Sequence, residues 1–167
     1  MNKKLLIVRH AKSDWSTSSI SDFNRPLNDR GKKNAPIMGI KLKKRDFVPD
    51  YIVSSPANRA ISTAKLIAKE LDIAVEKIQL NSSIYDASCD TLLKIVNNFD
   101  QETNVATLFG HNNGITDLAV YLTDADIFNI PTCGMVLITF PFDDWKMVSK
   151  NTGEVVFFDF PKNSEMV

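Results

Sequence analysis

The 167 residues suffice for one domain of ordinary size. Hydrophobic residues make up 44% of the chain and charged residues 24%, the proportions of a typical globular protein. Lys and Arg together number 20, as do Asp and Glu, so the formal charge is zero and we expect no nucleic-acid partner of the kind that binds a broad basic face.

The N-terminal residues carry two lysines and a short apolar run, as a secretion signal does. This run, Leu5–Val8, is too short for a signal peptide, and Arg9 ends it. No stretch approaches the roughly 20 apolar residues of a membrane span. We therefore expect a cytoplasmic protein without a membrane partner. Cys89 and Cys133 lack metal-ligand spacing and are expected to be inert thiols.

Short apolar runs that end in polar residues predict buried strands, and apolar residues at helical spacing predict amphipathic helices. In chain order the sequence predicts a strand at Leu5–Val8, a helix at Asn28–Lys44, a strand at Tyr51–Val53, helices at Ala57–Leu71 and Leu92–Phe99, a strand at Val105–Phe109, a helix at Ile115–Leu122, and strands at Met135–Phe140 and Glu154–Phe160. Turn residues separate the last two strands, which favours a terminal antiparallel pair.

Strands that alternate with helices and end in a strand pair indicate an α/β fold. We expect a single three-layer α/β/α domain over residues 1–167, with a mostly parallel sheet and an antiparallel C-terminal edge. No internal repeat, low-complexity tract or linker divides the sequence.

Both histidines of the chain directly follow a predicted strand. Arg9 and His10 end the first strand and His111 follows the third, while Arg59 lies one helical turn beyond the second. Ligands of open α/β sheets bind beyond the carboxyl ends of the strands. If these strands are parallel neighbours, the four residues converge at one edge of the sheet, beyond the carboxyl ends of the strands.

The residue types suit phosphate chemistry. Two guanidinium groups offer planar, permanently charged forks for a phosphate dianion, and helix N-termini after the second and third strands add backbone N–H groups. One histidine can attack phosphorus, and the other can donate hydrogen bonds to oxygens that gain charge.

Other site types fit less well. The nucleotide fingerprints GxxxxGK[ST] and GxGxxG are absent, and neither cysteine heads a phosphate-binding loop. A metal site on the two histidines is conceivable, with Asp14, Asp86 or Asp117 as a further ligand. The flanking arginines would repel the cation, so we expect neither a metal ion nor another cofactor.

Several motifs occur in one order along the chain: Leu6–Ser13, Arg25–Gly31, Ser54–Ala60 with Thr63-Ala64, and Gly110–Gly114. They resemble the signature motifs of the histidine phosphatase superfamily, the phosphoglycerate mutase-like proteins, and cover the chain to about residue 120. That family usually reads Arg-His-Gly. Here Ala11 replaces the glycine, as it does in many bacterial phosphohistidine phosphatases of the SixA-like group.

The resemblance implies that His10 is the nucleophile that becomes phosphohistidine. It also implies that Arg9, Arg59 and His111 form the phosphate pocket around it. Ser16 stands where relatives often place a further polar phosphate contact, although a solvated loop serine fits equally well.

The family's proton donor to the leaving group is commonly a glutamate or aspartate. The segment Ile84–Ala87 looks like the one that supplies it, which nominates Asp86 as the catalytic acid. A loop or cap aspartate before the helix near Asp90 is the alternative, and Asp14 and Asp22 are weaker candidates. A phosphoramidate leaving group is easier to expel than an alkoxide, so SixA-like members have less need of a strong acid.

Short loops at Ser82–Asp90 and Asp124–Pro131 predict an open pocket, which suits a phosphorylated side chain on a protein and also admits small phosphomonoesters. The leading hypothesis is a metal-independent phosphatase of phosphohistidine on a protein, with the phosphate ion as product. The alternatives are a phosphatase of small phosphate esters and a phosphate-binding interaction module without turnover.

Overall fold

The computed structural model describes residues 2–162 of the chain, and in this range a six-stranded mixed sheet lies between two pairs of helices as one α/β domain. The elements in chain order are β1 (Lys4–Arg9), α1 (Asp29–Lys44), β2 (Tyr51–Ser54), α2 (Asn58–Glu70), β3 (Ile78–Leu80), α3 (Cys89–Asn97), β4 (Val105–Gly110), α4 (Gly114–Thr123), β5 (Met135–Thr139) and β6 (Glu154–Asp159). The predicted fold class is confirmed. The predicted domain spans residues 1–167, and its two ends, Met1 and residues 163–167, lie outside the described residues.

The strand order is β3-β2-β4-β1-β5-β6. Strands β3, β2, β4 and β1 are parallel to one another, whereas β5 is antiparallel to β1 and to β6. Strand β4 is thus inserted between β1 and β2, although it follows both in sequence. The register pairs Arg9 with Gly110 and Ser54 with Phe109, so the three strands end at the same level. The residues that follow them therefore meet at one edge of the sheet.

The core is divided by the sheet into two layers. Successive side chains of a strand point to opposite faces, and Leu5 and Ile7 of β1 pack in the layer of α3 and α4, whereas Leu6 and Val8 pack in the layer of α1 and α2. All four side chains are fully buried. Burial of one such side chain contributes about 1.5–3 kcal/mol, so strand β1 is firmly held on both faces immediately before His10.

Helices α1 and α3 each begin at a side-chain cap. The side chain of Asn28 accepts a hydrogen bond of 2.8 Å from the N–H of Gly31 at the start of α1. Gly31 lies against the loop after β1: a Cβ atom there would be 2.2 Å from the carbonyl oxygen of Lys12. Helix α3 begins at Cys89, three residues before the predicted start, because Ser88 caps it by accepting from the N–H of Thr91 at 3.3 Å.

Strand β3 is missing from the sequence-based prediction. It has three residues, of which Ile78 alone is buried, so it leaves no apolar run to detect. Within residues 2–162, no helix is both long and apolar enough to cross a membrane.

Candidate active site

The backbone of His10 is held from both sides at the end of β1. Its N–H donates to the carbonyl of Gly110 at 3.2 Å, and its own carbonyl accepts from the N–H of Cys133 at 3.0 Å. The side chain is 8% exposed. Its Nδ1 lies 2.7 Å from the carbonyl oxygen of Ala11. A carbonyl can only accept, so Nδ1 carries the proton, and the neutral ring keeps its lone pair on Nε2.

Helix α2 is joined to the strand end through Thr63. The N–H of Ala11 donates to the Thr63 hydroxyl at 2.9 Å, and that hydroxyl donates to the carbonyl of Arg59 at 2.7 Å. Ala11 and Thr63 are both fully buried. This pair of bonds couples the segment after His10 to the first turn of α2, where Arg59 lies.

His111 follows β4 and faces His10, with 5.2 Å between the ring centroids. Its Nε2 lies 2.8 Å from the hydroxyl of Ser55, the residue after β2. The Ser55 oxygen also accepts from the N–H of Ala57 at 3.2 Å. The remaining ring nitrogen of His111, Nδ1, is buried and has no hydrogen-bond partner among the described residues.

Arg9 is oriented by the loop before β5. Its Nη1 donates to the carbonyl of Ile130 at 3.1 Å, and the same carbonyl accepts from the side chain of Asn112 at 2.9 Å. The N–H of Ile130 donates to the hydroxyl of Thr116 at 3.1 Å. The Nε atom of Arg9 is buried and has no partner among residues 2–162.

Arg59, in the first turn of α2, is 6% exposed. Its two terminal nitrogens contact Asp22: Nη1 donates to the backbone carbonyl at 2.7 Å and Nη2 to the carboxylate at 3.1 Å. Its Nε atom is also buried without a partner in the part of the chain that the structure describes. The structure thus brings together Arg9, His10, Arg59 and His111, which we call the pocket residues.

The electrostatics of this cluster favour an anion. Burial, with the nearby charges of the two arginines, lowers the pKa of His10 to about 3 and the pKa of His111 to about 4. Burial and then the charge of Arg59 also lower the pKa of Arg9. A buried polar group without a partner costs free energy, and three such nitrogens occur among the pocket residues. A bound phosphate would satisfy them and compensate the two guanidinium charges.

Two other residues predicted for the site, Asp86 and Ser16, form no hydrogen bond or ion pair with the pocket residues. Asp86 is exposed and left-handed, with φ 58°, and its carboxylate forms no hydrogen bond or ion pair with them. Ser16 is exposed, and its N–H donates to the carboxylate of Asp14 at 2.8 Å. Among residues 2–162, no group of three or more His, Cys, Asp or Glu side chains is arranged to hold a metal ion.

Sequence reasoning missed Tyr85, which precedes the nominated acid. Its ring lies edge-on to His111 at 5.6 Å and to Phe23 at 5.3 Å, and its hydroxyl donates to Asp22 at 2.5 Å. The positions of Ser55 and Thr63 within the family-like motifs are the signal that could have indicated their contacts with the site.

The amino-acid sequence is similar to those of known proteins over different parts of the chain. The family model of the histidine phosphatase superfamily (branch 1) matches residues 5–80. An uncharacterized chloroplastic protein of Arabidopsis thaliana is 26% identical over 154 residues, which are 87% of this chain and 70% of that protein. The 2,3-bisphosphoglycerate-dependent phosphoglycerate mutase of Streptomyces avermitilis is 36% identical over 73 residues, which are 41% of this chain but only 28% of the mutase.

Among solved structures, the protein from Agrobacterium tumefaciens assigned as the phosphohistidine phosphatase SixA has a TM-score of 0.82 and 23% identity, over 96% of this chain and 99% of that one. At this identity the likeness concerns the fold. The family match covers the first three strands and the first two helices, and the shared fold extends over nearly the whole chain. The chain is thus similar to the histidine phosphatase superfamily over residues 5–80 and shares the fold of the SixA structure over nearly its whole length.

Proposed function

We propose that this protein is a metal-independent phosphatase that acts through a covalent phosphohistidine at His10, with phosphohistidine on a protein as its substrate. The similarity to the superfamily over residues 5–80 supports a phosphatase activity, with a phosphorylated substrate and phosphate as product. One observation carries the proposal. The hydrogen bond from Nδ1 of His10 to the carbonyl oxygen of Ala11 leaves Nε2 unprotonated. The pocket around Nε2 also holds two arginines and a second histidine.

In the proposed first step, Nε2 of His10 attacks phosphorus. A nitrogen–phosphorus bond forms while the bond from phosphorus to the leaving atom breaks, and the leaving atom keeps that electron pair and takes a proton from water, or from Asp86 when it is a poorer leaving group. In the second step water attacks phosphorus, the nitrogen–phosphorus bond breaks and returns its electron pair to Nε2, and phosphate leaves with both protons of the water. Arg9, Arg59 and His111, through its Nδ1 atom in the protonated state, stabilise the charge on the phosphoryl oxygens in both steps.

The carboxylates near the pocket favour a leaving group that needs little help from an acid. Hydrogen bonds from Tyr85, followed by the charge of Arg59, lower the pKa of Asp22, so this group is ionised at neutral pH. Hydrogen bonds from Ser16 likewise lower the pKa of Asp14. Neither group therefore holds a proton for an alkoxide at neutral pH, whereas the imidazole of phosphohistidine leaves more readily. We keep Asp86 as the proposed acid for poorer leaving groups, and Ser16 as a proposed contact to a bound substrate.

The surroundings of the pocket support a substrate carried on a protein. Two of the segments that border it are short: eleven residues, 124–134, separate α4 from β5, and a single 3₁₀ turn at Ser82–Ile84 precedes the loop to α3. Short segments on these two sides leave room for a phosphorylated side chain on a folded surface. Proposed partners are therefore phosphorylated proteins, with neither nucleic acid nor membrane, and the proposed location is the cytoplasm.

A substrate screen tests the proposal. A phosphohistidine peptide, an aryl phosphate and alkyl phosphomonoesters would be compared with the wild type and with His10→Ala. We expect the peptide to give the highest kcat/KM, and His10→Ala to reduce turnover by several powers of ten. The matched control is Asp72→Asn, which removes an exposed carboxylate paired with Lys43 at the far end of α2. Preference for alkyl esters would indicate a small-ester phosphatase. Phosphate binding without turnover would indicate the interaction module.

A further inference from the structure

Asp22, in the loop between β1 and α1, is the meeting point of three side chains. Its Oδ2 accepts from Nη2 of Arg59 at 3.1 Å and from the hydroxyl of Tyr85 at 2.5 Å. Its Oδ1 lies 2.9 Å from Nη1 of Arg25. The backbone carbonyl of Asp22 accepts from Nη1 of Arg59 at 2.7 Å. Both terminal nitrogens of Arg59 are thus bound to a single residue.

We propose that Asp22 is a positioning residue, which fixes the guanidinium of Arg59 for a phosphoryl group and holds Tyr85 against His111. The inference rests on the proposed function, since the orientation of Arg59 affects turnover only if this pocket binds the phosphoryl group. Asp22 acts through Arg59 and does not touch the reacting atoms.

The hydrogen bonds of Arg59 leave it free to bind an anion. A guanidinium has five N–H donors, and Asp22 takes one from each terminal nitrogen. The Nε–H group is buried with no partner among the described residues. Asp22 therefore holds one edge of the guanidinium and leaves donors available on the rest of it.

Asp22 is itself anchored, although its side chain is 50% exposed. Its ionic partner Arg25 is 9% exposed and donates from Nε to the hydroxyl of Ser13 at 3.0 Å. The guanidinium of Arg25 also stacks on the ring of Trp15 at 3.6 Å. Ser13 in turn pairs with Leu27 in an isolated antiparallel bridge. These contacts fix the loop to the segment after β1, so the carboxylate has a defined place from which to orient Arg59.

A competing role for Asp22 would give the opposite results. A carboxylate bound to Arg59 could act as an internal competitor of phosphate, and its removal would then strengthen phosphate binding and raise turnover. The two roles are separated by measurements on Asp22→Ala and Asp22→Asn.

The first measurement follows Arg59 directly, without reference to activity. The side-chain Nε–H signals of the full chain would be recorded by ¹H–¹⁵N NMR, with Arg59→Lys to assign the signal of Arg59. We expect Asp22→Ala to shift or broaden that signal, Asp22→Asn to do so less, and Asp72→Asn to leave it in place. An Arg59 signal unchanged in Asp22→Ala overturns the inference, even if the wild type proves to be an active phosphatase.

The second measurement separates kcat from anion binding, with an aryl phosphate as substrate and inorganic phosphate as inhibitor. Small misplacement of a binding group can cost on the order of 100-fold in rate, and we expect Asp22→Ala to lower kcat by about 10- to 100-fold, with partial rescue in Asp22→Asn. The inhibition constant of phosphate should change by less than about threefold, because loss of a neighbouring negative charge offsets the loosening of Arg59.

Two kinetic outcomes contradict a positioning role. Turnover that rises while phosphate binds more tightly would identify Asp22 as a competitor. A fall in kcat that disappears once rates are normalised to the folded fraction, measured by near-ultraviolet circular dichroism, would reduce Asp22 to a stabilising contact. If instead the wild type turns over none of the substrates, the proposed function fails, and the NMR measurement still decides the role of Asp22.

Discussion

The ring of His111 and the hydroxyl of Ser55 meet beyond the ends of two adjacent strands, with 2.8 Å between Nε2 and Oγ. One lone pair of this oxygen is already engaged by the N–H of Ala57. Donation of the hydroxyl hydrogen to Nε2 satisfies both groups, and this arrangement places the imidazole proton on Nδ1. Nδ1 of His111, which has no hydrogen-bond partner within residues 2–162, is then a donor and suits a phosphoryl oxygen.

Ser55→Ala should impair this arrangement. The substitution leaves Nε2 of His111 buried without its partner, which typically costs about 1–3 kcal/mol of stability, and it frees the imidazole to adopt the other tautomer. We expect kcat to fall by roughly tenfold, less than the roughly 10²–10³-fold cost of deleting such a donor, because the ring of His111 is still present. Ser54→Ala is the matched control, because Ser54 is equally buried but donates to the carbonyl of Ser55 at 2.9 Å. Equal loss of kcat in both variants would contradict this role of Ser55.

The two histidines should remain neutral well below pH 6. Their pKa values, about 3 for His10 and about 4 for His111, are depressed by burial. The chain has only these two histidines, so their ring C–H signals can be followed separately by NMR. We expect no titration of either ring between about pH 5.5 and 8, whereas ordinary histidines titrate near 6.5.

The same shifts determine how stability depends on pH. Because the folded pKa of each histidine lies below its unfolded value, the unfolded chain binds protons first as the pH falls. The stability that the neutral histidines contribute is fully present above about pH 6.5, and it is lost as the pH falls through their pKa values in the folded protein. The Tm measured by calorimetry should therefore decrease from pH 7 towards pH 4. An increase over this range would contradict the depressed pKa values.

Activity should survive removal of divalent metal ions. Arg9 and Arg59 already supply the positive charge that a metal ion would otherwise bring to the phosphoryl oxygens. We expect kcat/KM on the preferred substrate to be unchanged after dialysis against a chelator. Loss of activity that zinc or magnesium restores would favour a site in which the two histidines bind a metal ion.

Asp86→Asn tests the proposed catalytic acid. A positioned acid contributes roughly 10²–10⁴-fold when the leaving group must gain a proton. If Asp86 is this acid, the variant should slow alkyl phosphomonoesters far more than phosphohistidine or aryl phosphates. Equal slowing of all substrates would indicate a structural role at this left-handed turn. Unchanged rates on every substrate would remove Asp86 from the site.

The sequence predicts the strand ends well because a buried strand that stops at a polar residue has a clear local pattern. It could not show that β4 lies between β1 and β2, and this order brings His111 beside His10. Strand order depends on packing across the whole domain. The apolar runs therefore predict where each of the four pocket residues lies relative to a strand or helix end. Whether the four side chains meet depends on the strand order, which the sequence does not show.

Contacts made by loops were harder to foresee. The pairing of Asp22 with Arg59 spans 37 positions and has no periodic signal. In the segment from Ile84 to Ala87, the resemblance to the histidine phosphatase superfamily nominated Asp86, because the proton donor of that family is commonly a glutamate or aspartate. The left-handed backbone at Asp86 leaves that side chain exposed, and the preceding Tyr85 contacts His111 instead.

The backbone bonds of His10 to Gly110 and Cys133 make the proposed nucleophile an extension of the hydrogen-bond ladder of the sheet. Its amide hydrogen should consequently exchange with solvent at the slow rate of the central strands, since it is released only when the sheet itself opens. Catalytic geometry at this residue then depends on the most protected part of the protein, whereas Arg59 depends on a surface loop. Sequence changes in that loop can alter how Arg59 binds a phosphoryl group without displacing Nε2 of His10, the atom that would attack phosphorus.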